Sequence, residues 1–285
     1  KMSEAGISIR NLKQDFGRGE PALKDINLEI KKSEFVAIIG QNGAGKTTLA
    51  KHLIGLLRPS SGMIFINEQD IRNQPISVLA QQVGYVFQNP DHQIFMDQVS
   101  KEIAFGLRNL NLAEAEIERR TVKVLKETGL FHLKDAAPMS LSKGHRQRVA
   151  LASVLAMEPE ILILDEPTTG QDYRGSKQIM DLIAALNKKG HSVIFITHDL
   201  QLVADYAQRV ILMGKGAIMF DGSPREVLIQ RELLAKTNLK PQQITEFSQS
   251  LANYGAPEDI IQVDELVAVF RQRAAAPLRA LVNVG

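Results

Sequence analysis

The chain of 285 residues contains no cysteine. That excludes disulfides and thiolate metal sites, and it fits a reducing compartment. There is no apolar run near the ~18 residues a membrane-spanning helix needs, nothing at the start resembling a signal peptide, no internal repeat and no low-complexity tract. An excess of charge of one sign is missing too. The formal net charge is +2, so composition offers no case for a nucleic-acid partner. What remains is an ordinary globular composition, 44% hydrophobic and 23% charged, with length for one large domain or two modest ones and ample core. Lys1 stands ahead of Met2 and reads as a foreign remnant or as the edge of a piece cut from something longer.

The most informative stretch is Gly40-Gln41-Asn42-Gly43-Ala44-Gly45-Lys46-Thr47-Thr48. It follows Phe35-Val36-Ala37-Ile38-Ile39, which reads as a short buried strand, and it precedes a helical pattern over 49–57. Strand, glycine loop, helix is the context that turns G-x-x-x-x-G-K-[ST] into a phosphate site. The glycines let the backbone wrap a polyphosphate with N–H groups pointing inward. The helix N-terminus adds partial positive charge at the same place. Lys46 is expected to reach the β- and γ-phosphates, and the Thr47 hydroxyl to ligate Mg²⁺.

Around this loop the chain alternates strands and helices. Residues 7–10 and 26–30 alternate apolar and polar, as half-buried strands do. Phe16, in the turn-rich loop between them, reads from position alone as core more readily than as a platform for a base. Residues 63–66 and 83–87 read as strands, and 76–82 as a short helix. Gln88 then stands at a strand's carboxyl end, where open α/β sheets bind ligands. Residues 100–157 are helical in pattern, broken at Pro138, with a new helix over 146–157 opened by Leu141-Ser142-Lys143-Gly144-His145. Ser142 and Gly144 sit where a helix N-terminus offers free N–H groups, and without further context a plain serine N-cap is the favoured reading.

Ile161-Leu162-Ile163-Leu164 is too short for a helix and suits a central parallel strand. It runs straight into Asp165-Glu166. Two adjacent carboxylates there cannot both be buried and unpaired. A divalent cation held by Asp165 and a water oriented or deprotonated by Glu166 resolve that. Residues 192–196 form a further strand ending at His198, which shares the sheet edge with Lys46, Gln88 and Glu166 and is expected to contact the γ-phosphate. Strands at 210–213 and 217–220 complete the sheet. From residue 223 the pattern becomes helical, with candidates at 224–235, 242–252 and 263–274.

This ordered set resembles an ABC-type ATPase subunit over residues 5–222. The glycine loop corresponds to 40–48, the Q-loop to Gln88 and the signature to 141–145. The Walker B aspartate and catalytic glutamate correspond to Asp165 and Glu166. The D-loop corresponds to Gly170-Gln171-Asp172, the switch histidine to His198 and the adenine-stacking aromatic to Phe16, which reverses the core reading. Gln88-Asn89-Pro90-Asp91-His92-Gln93-Ile94-Phe95 and Pro167-Thr168-Thr169-Gly170-Gln171-Asp172 are similar to the energy-coupling factor (ECF) importer ATPases, as is the helical tail. Two departures stand out: Lys143 and His145 replace a glycine and a glutamine of the usual signature, and Ser33 replaces a glycine before the loop's strand.

The resemblance implies an α/β P-loop ABC ATPase fold: a RecA-like core with an antiparallel β arm and a helical subdomain at about 98–157, plus a small helical C-terminal extension at 223–285 serving as a dimer contact. It implies ATP and Mg²⁺ as ligands. The nucleotide would be held by Phe16, residues 40–48 and, from a partner chain, Ser142 and Gly144. The metal would be held by Thr47, Gln88 and Asp165, with Lys46, Gln88, Glu166 and His198 in the reaction. It implies a second ATPase subunit, identical or paralogous, a membrane T component and a substrate-binding S component, at the cytoplasmic face of the membrane, importing a vitamin or transition-metal ion. The rivals are the ATPase of another ABC transporter class, a soluble ABC ATPase acting on nucleic acid or ribosomes, and a P-loop kinase. The second expects tandem nucleotide domains, a long coiled coil or a basic face, and none is visible. The third has no use for the signature or for His198.

Overall fold

The structure, a computed structural model, describes residues 5–17 and 19–282, with side chains described for 6–17 and 19–272. Alternation of buried and exposed residues folds β1 (Ala5–Gln14) against β2 (Leu23–Lys31); in β2 the apolar residues Leu23, Ile26, Leu28 and Ile30 all turn inward. The next strand, β3 (Phe35–Ile39), belongs to a different sheet, while β4 (Ser61–Ile66) returns to pair with β1 and the two-residue β5 (Gln69–Asp70) closes that edge. The result is a four-stranded antiparallel arm in the order β2-β1-β4-β5. Only β5 escapes sequence patterning, because two residues carry no period.

The second sheet has the order β10-β9-β3-β8-β7-β6, formed by β6 (Val83–Val86), β7 (Ile161–Asp165), β8 (Ser192–Ile196), β9 (Arg209–Gly214) and β10 (Ala217–Gly222) around β3. All pairings are parallel except β10 on β9. Every residue of β3 is buried, because both faces of the sheet are covered. Ala37 and Ile39 enter one core with Leu164 and Phe195; Val36 and Ile38 enter another with Ile163 and Ile194.

Helix α1 (Lys46–Leu53) follows β3, and α2 (Ile76–Gln82) precedes β6. The pattern over 49–57 placed α1 three residues late. Gly45 starts it in a left-handed conformation, and Gly55 (φ 72) ends it, with Leu56 N–H bonded back to Lys51 O at 3.0 Å. Between β6 and β7 lie α3 (Val99–Asn109), α4 (Glu114–Glu127) and α5 (Lys143–Leu155), packed on one another. Capping by Ser142 starts α5 at Lys143, ahead of the expected 146. Then α6 (Tyr173–Lys188) and α7 (Leu200–Tyr206) flank β8.

The tail contains α8 (Pro224–Leu228), α9 (Arg231–Lys236), α10 (Gln243–Ser250) and α11 (Val263–Val282). The single helix expected over 224–235 is two. Gln230 leaves the helical region, and its side-chain amide donates to Glu226 O at 2.6 Å, competing with the backbone ladder there. Val227, Leu228 and Leu234 pack into the same core as Phe195, so the tail begins as part of the main body. Among the described residues no helix is long and apolar enough to cross a membrane.

Ser33, the replacement for glycine before β3, has φ 60. A left-handed conformation costs a non-glycine residue about 1–2 kcal/mol. Three bonds offset it: Ser33 N–H to Ser192 Oγ (2.9 Å), Ser33 Oγ to Gly190 O (2.8 Å) and Asn187 Nδ2 to Ser33 O (2.8 Å). At about 1 kcal/mol each, they explain why serine is tolerated.

Candidate active site

Strands β3, β8, β7 and β6 are neighbours in that order. Their registers align Ile38 with Ile196, Ile196 with Asp165 and Leu164 with Val86. The four carboxyl ends are therefore level. Residues 40–48, Thr197-His198, Asp165-Glu166 and Phe87-Gln88 leave the sheet along one edge, the place where open parallel sheets bind ligands.

The glycine loop has its shape because side chains cannot fit. A Cβ at Gly40 (φ 148) would sit 2.2 Å from Met213 O, and one at Gly45 (φ 100) would sit 2.7 Å from Ala22 O. From below, Gly216 N–H in the β9–β10 turn donates to Ala44 O at 3.1 Å. Lys46 is only 8% exposed, and its ammonium donates to Gly40 O (2.7 Å) and Gln41 O (3.0 Å). Burial lowers its pKa, while the nearby Glu166 and Asp165 charges pull it back up. The N-terminus of α1 has no side-chain cap and no acid in its first turn, which suits it to an anion.

Next to the loop, Thr47 Oγ1 donates to Asp165 Oδ2 at 2.8 Å, and Tyr85 OH donates to the same oxygen at 3.1 Å. Burial, reinforced by the charge of Asp165, pushes the Tyr85 hydroxyl pKa up, so it remains a donor. Tyr85 escaped the sequence reading; the one available signal was a hydroxyl in an otherwise apolar strand. Glu166 is 9% exposed, and its Oε1 accepts from His198 Nδ1 at 2.8 Å. Burial raises its pKa; His198 and Lys46 work against this, and Asp165 works with it. Glu166 also has φ 51, with its N–H tied to Ile196 O at 2.9 Å, an outlier costing about 1–3 kcal/mol of the kind that collects at functional positions.

The bonds form three sets, Lys46 on the loop carbonyls, Thr47 and Tyr85 on Asp165, and His198 on Glu166, and the charges of Asp165 and Glu166 act on Lys46 across them. None of these bonds reaches Ser142 or Gly144. Ser142 caps α5, its Oγ accepting from His145 N–H (3.3 Å) with His145 Nδ1 2.9 Å away, while Gly144 O accepts from Gln171 Nε2 at 2.8 Å. Asn42, Gly43 and Gln88 are exposed at the edge, and Thr48 O bonds to buried His52 Nδ1 at 2.8 Å. Phe16 is 51% exposed, which overturns its core reading from position alone.

The residues present fit Mg²⁺ bound jointly with phosphate. Among the described residues no cluster of three or more His, Cys, Asp or Glu could cage a metal. One carboxylate and one hydroxyl, already meeting at Asp165 Oδ2, match a hard cation that takes its remaining ligands from phosphates and water.

Beside Gln88 lies an apolar cleft of about 320 Å³, lined by Leu56, Ile76, Tyr85, Phe87, Phe95 and Phe105 among others. Phe95 is 62% exposed and edge-on to Phe105, with ring centroids 4.7 Å apart. Its presentation depends on buried Glu102, whose carboxylate accepts the N–H groups of Phe95 (3.1 Å) and Met96 (2.7 Å). Asp91, in the same segment, accepts from Arg146 Nε at 2.7 Å.

The family described as ABC transporter matches residues 23–169. The energy-coupling factor transporter ATP-binding protein EcfA1 of Caldanaerobacter subterraneus is 41% identical over 92% of this chain and 97% of its own length. CbiO1 from Clostridium perfringens, part of the ABC transporter complex cbiONQ, superimposes with a TM-score of 0.74 at 39% identity, over 88% of this chain and 100% of that one. The ATP-binding cassette MJ0796, solved as a dimer in a post-hydrolysis state with ADP and Pi, gives 0.71 at 28% identity, over 76% and 98%. The chain spans less than half the length of three other curated relatives, 45%, 38% and 36% of them.

The buried carboxylate of Glu166 has a stability consequence. Its pKa in the folded chain lies above its unfolded value, so ionisation opposes folding. That cost is complete above the folded pKa and vanishes below the ordinary carboxylate range, where both states are protonated. Glu166→Gln should therefore unfold at a higher temperature than wild type at pH 8, with the difference shrinking toward pH 4. Melting curves across that range check this; no gain at pH 8 would contradict it.

Proposed function

The chain belongs to the ABC transporter family, among the energy-coupling factor ATP-binding proteins, and we propose that it binds and hydrolyses ATP to drive a membrane importer. The observation that carries this is the common edge on which the phosphate loop, the Thr47–Asp165 pair and the Glu166–His198 pair meet. The loop N–H groups, the α1 terminus and Lys46 hold the phosphates. Phe16 stacks on the adenine. Thr47, Asp165 and Gln88 would hold Mg²⁺, which when bound would supply positive charge beside the phosphates. Glu166, its basicity raised by burial, orients the attacking water and takes its proton. His198 keeps that carboxylate in place and reaches the γ-phosphate.

One chain leaves the outer side of the γ-phosphate open. Ser142 and Gly144, which stand apart from the loop in their own chain, fit the role of closing a partner's site, with a second helix N-terminus completing the anion cradle. The partner is an identical or paralogous ATPase, with residues 223–285 contributing to the contact and residues 5–222 forming the ATPase unit. The apolar cleft at Phe95 receives a helix of the membrane T component, next to Gln88, so that nucleotide state and membrane contact share one segment. The complex works at the cytoplasmic face with a separate substrate-binding component for a vitamin or metal ion.

Glu166→Gln should retain Mg-ATP binding and lose turnover by about 10²-fold or more, the scale of a lost general base. A phosphate-release assay beside a nucleotide titration checks it, and near-wild-type turnover would remove Glu166 from the chemistry. Phe95→Ala should leave the ATPase activity of the isolated chain intact while uncoupling uptake in vesicles reconstituted with the membrane subunits. Unimpaired uptake would place the coupling surface elsewhere.

A further inference from the structure

A side chain of the C-terminal extension reaches the phosphate loop. After α9, buried Thr237 donates through Oγ1 to Leu234 O at 2.9 Å, and Asn238 N–H bonds to Ala235 O at 3.0 Å. Asn238 has φ 52, a left-handed conformation that asparagine tolerates better than most residues. From there its Nδ2 donates to Gln41 Oε1 at 2.8 Å, across 197 positions of sequence. The seat beneath is tight: a Cβ at Gly214 would lie 3.3 Å from Thr237 Cγ2, and one at Gly40 2.2 Å from Met213 O. Extension, end of β9 and loop are stacked with little room between them.

Gln41 is where three constraints meet. Its side chain is held by Asn238, and its carbonyl accepts both the Ala44 N–H that makes the loop's turn (3.1 Å) and the Lys46 ammonium (3.0 Å). Fixing the side chain of Gln41 therefore restrains the peptide that orients Lys46. We propose that Asn238 is a positioning residue for nucleotide binding: through Gln41 the C-terminal extension sets the geometry of the phosphate loop and hence the affinity for Mg-ATP. The inference rests on the nucleotide reading above. It gives the extension a role within its own chain, and movement of α9 would be felt at the loop.

The test is a double-mutant cycle on the purified full chain, read by Mg-ATP titration, with melting temperature as the folding check. Asn238→Gly permits the left-handed backbone and removes the side chain that bonds to Gln41. Asn238→Gly and Gln41→Ala should each weaken Mg-ATP binding by about two- to tenfold, the scale of one hydrogen bond, and the double variant by no more than the weaker single. Asn238→Gly should raise KM and leave kcat within about twofold. Asn238→Asp adds an anion beside the phosphate site, so its loss should exceed that of Asn238→Gly and shrink with added salt. Strictly additive losses, or wild-type affinity in Asn238→Gly at an unchanged melting temperature, would overturn the proposal while leaving the nucleotide reading standing. A wild-type chain that binds no nucleotide would overturn both.

Discussion

Parallel pairing of β3, β8, β7 and β6 is the constraint on which the rest depends. A parallel sheet sends every strand out through the same edge. The observed registers end these four strands level with one another. Lys46, Thr47, Asp165, Glu166, His198 and Gln88 come from segments far apart in sequence, yet that edge gathers them without any long loop. A shift of β7 by one residue would turn Asp165 toward the opposite face and separate it from Thr47 and Tyr85.

The gathered charges explain why the site is poised. Lys46, Asp165 and Glu166 are all buried, and the carboxylates support the ammonium against its burial. Burial raises the pKa of Glu166 against the pull of His198, leaving a carboxylate more basic than one in water. Backbone outliers accumulate at the same place: Gly40, Gly45 and Glu166 all have positive φ. The surrounding sheet and the β9–β10 turn hold them there, consistent with a site where local strain is carried by a rigid frame.

How much of this was legible in the sequence follows the range of each interaction. The glycine loop was legible because the residues that its geometry demands are contiguous. Asp165-Glu166 was legible because a four-residue aliphatic strand ending in two acids has few stable solutions. Tyr85 was not, because its partner Asp165 lies 80 positions away and nothing local marks a tyrosine as a donor. The same holds for Arg146 on Asp91 and for Asn238 on Gln41, at separations of 55 and 197. Glu102 lies in a stretch legible only as helical in pattern, and the fold turns it inward to hold Phe95. Helix limits failed where a side chain replaced a backbone bond, as at Gln230, or where Ser142 and Gly45 set the start.

The central claim is that this edge forms half of a nucleotide site that a second chain completes. Light scattering on purified Glu166→Gln, with and without ATP, tests it most directly. With ATP and Mg²⁺ the mass should rise from about that of one chain to about that of two, and an additional Ser142→Arg substitution should abolish the rise by filling the space of the γ-phosphate. A chain that binds Mg-ATP and stays at the mass of a monomer both alone and when mixed with a paralogous ATPase subunit, with or without Ser142→Arg, would contradict the account.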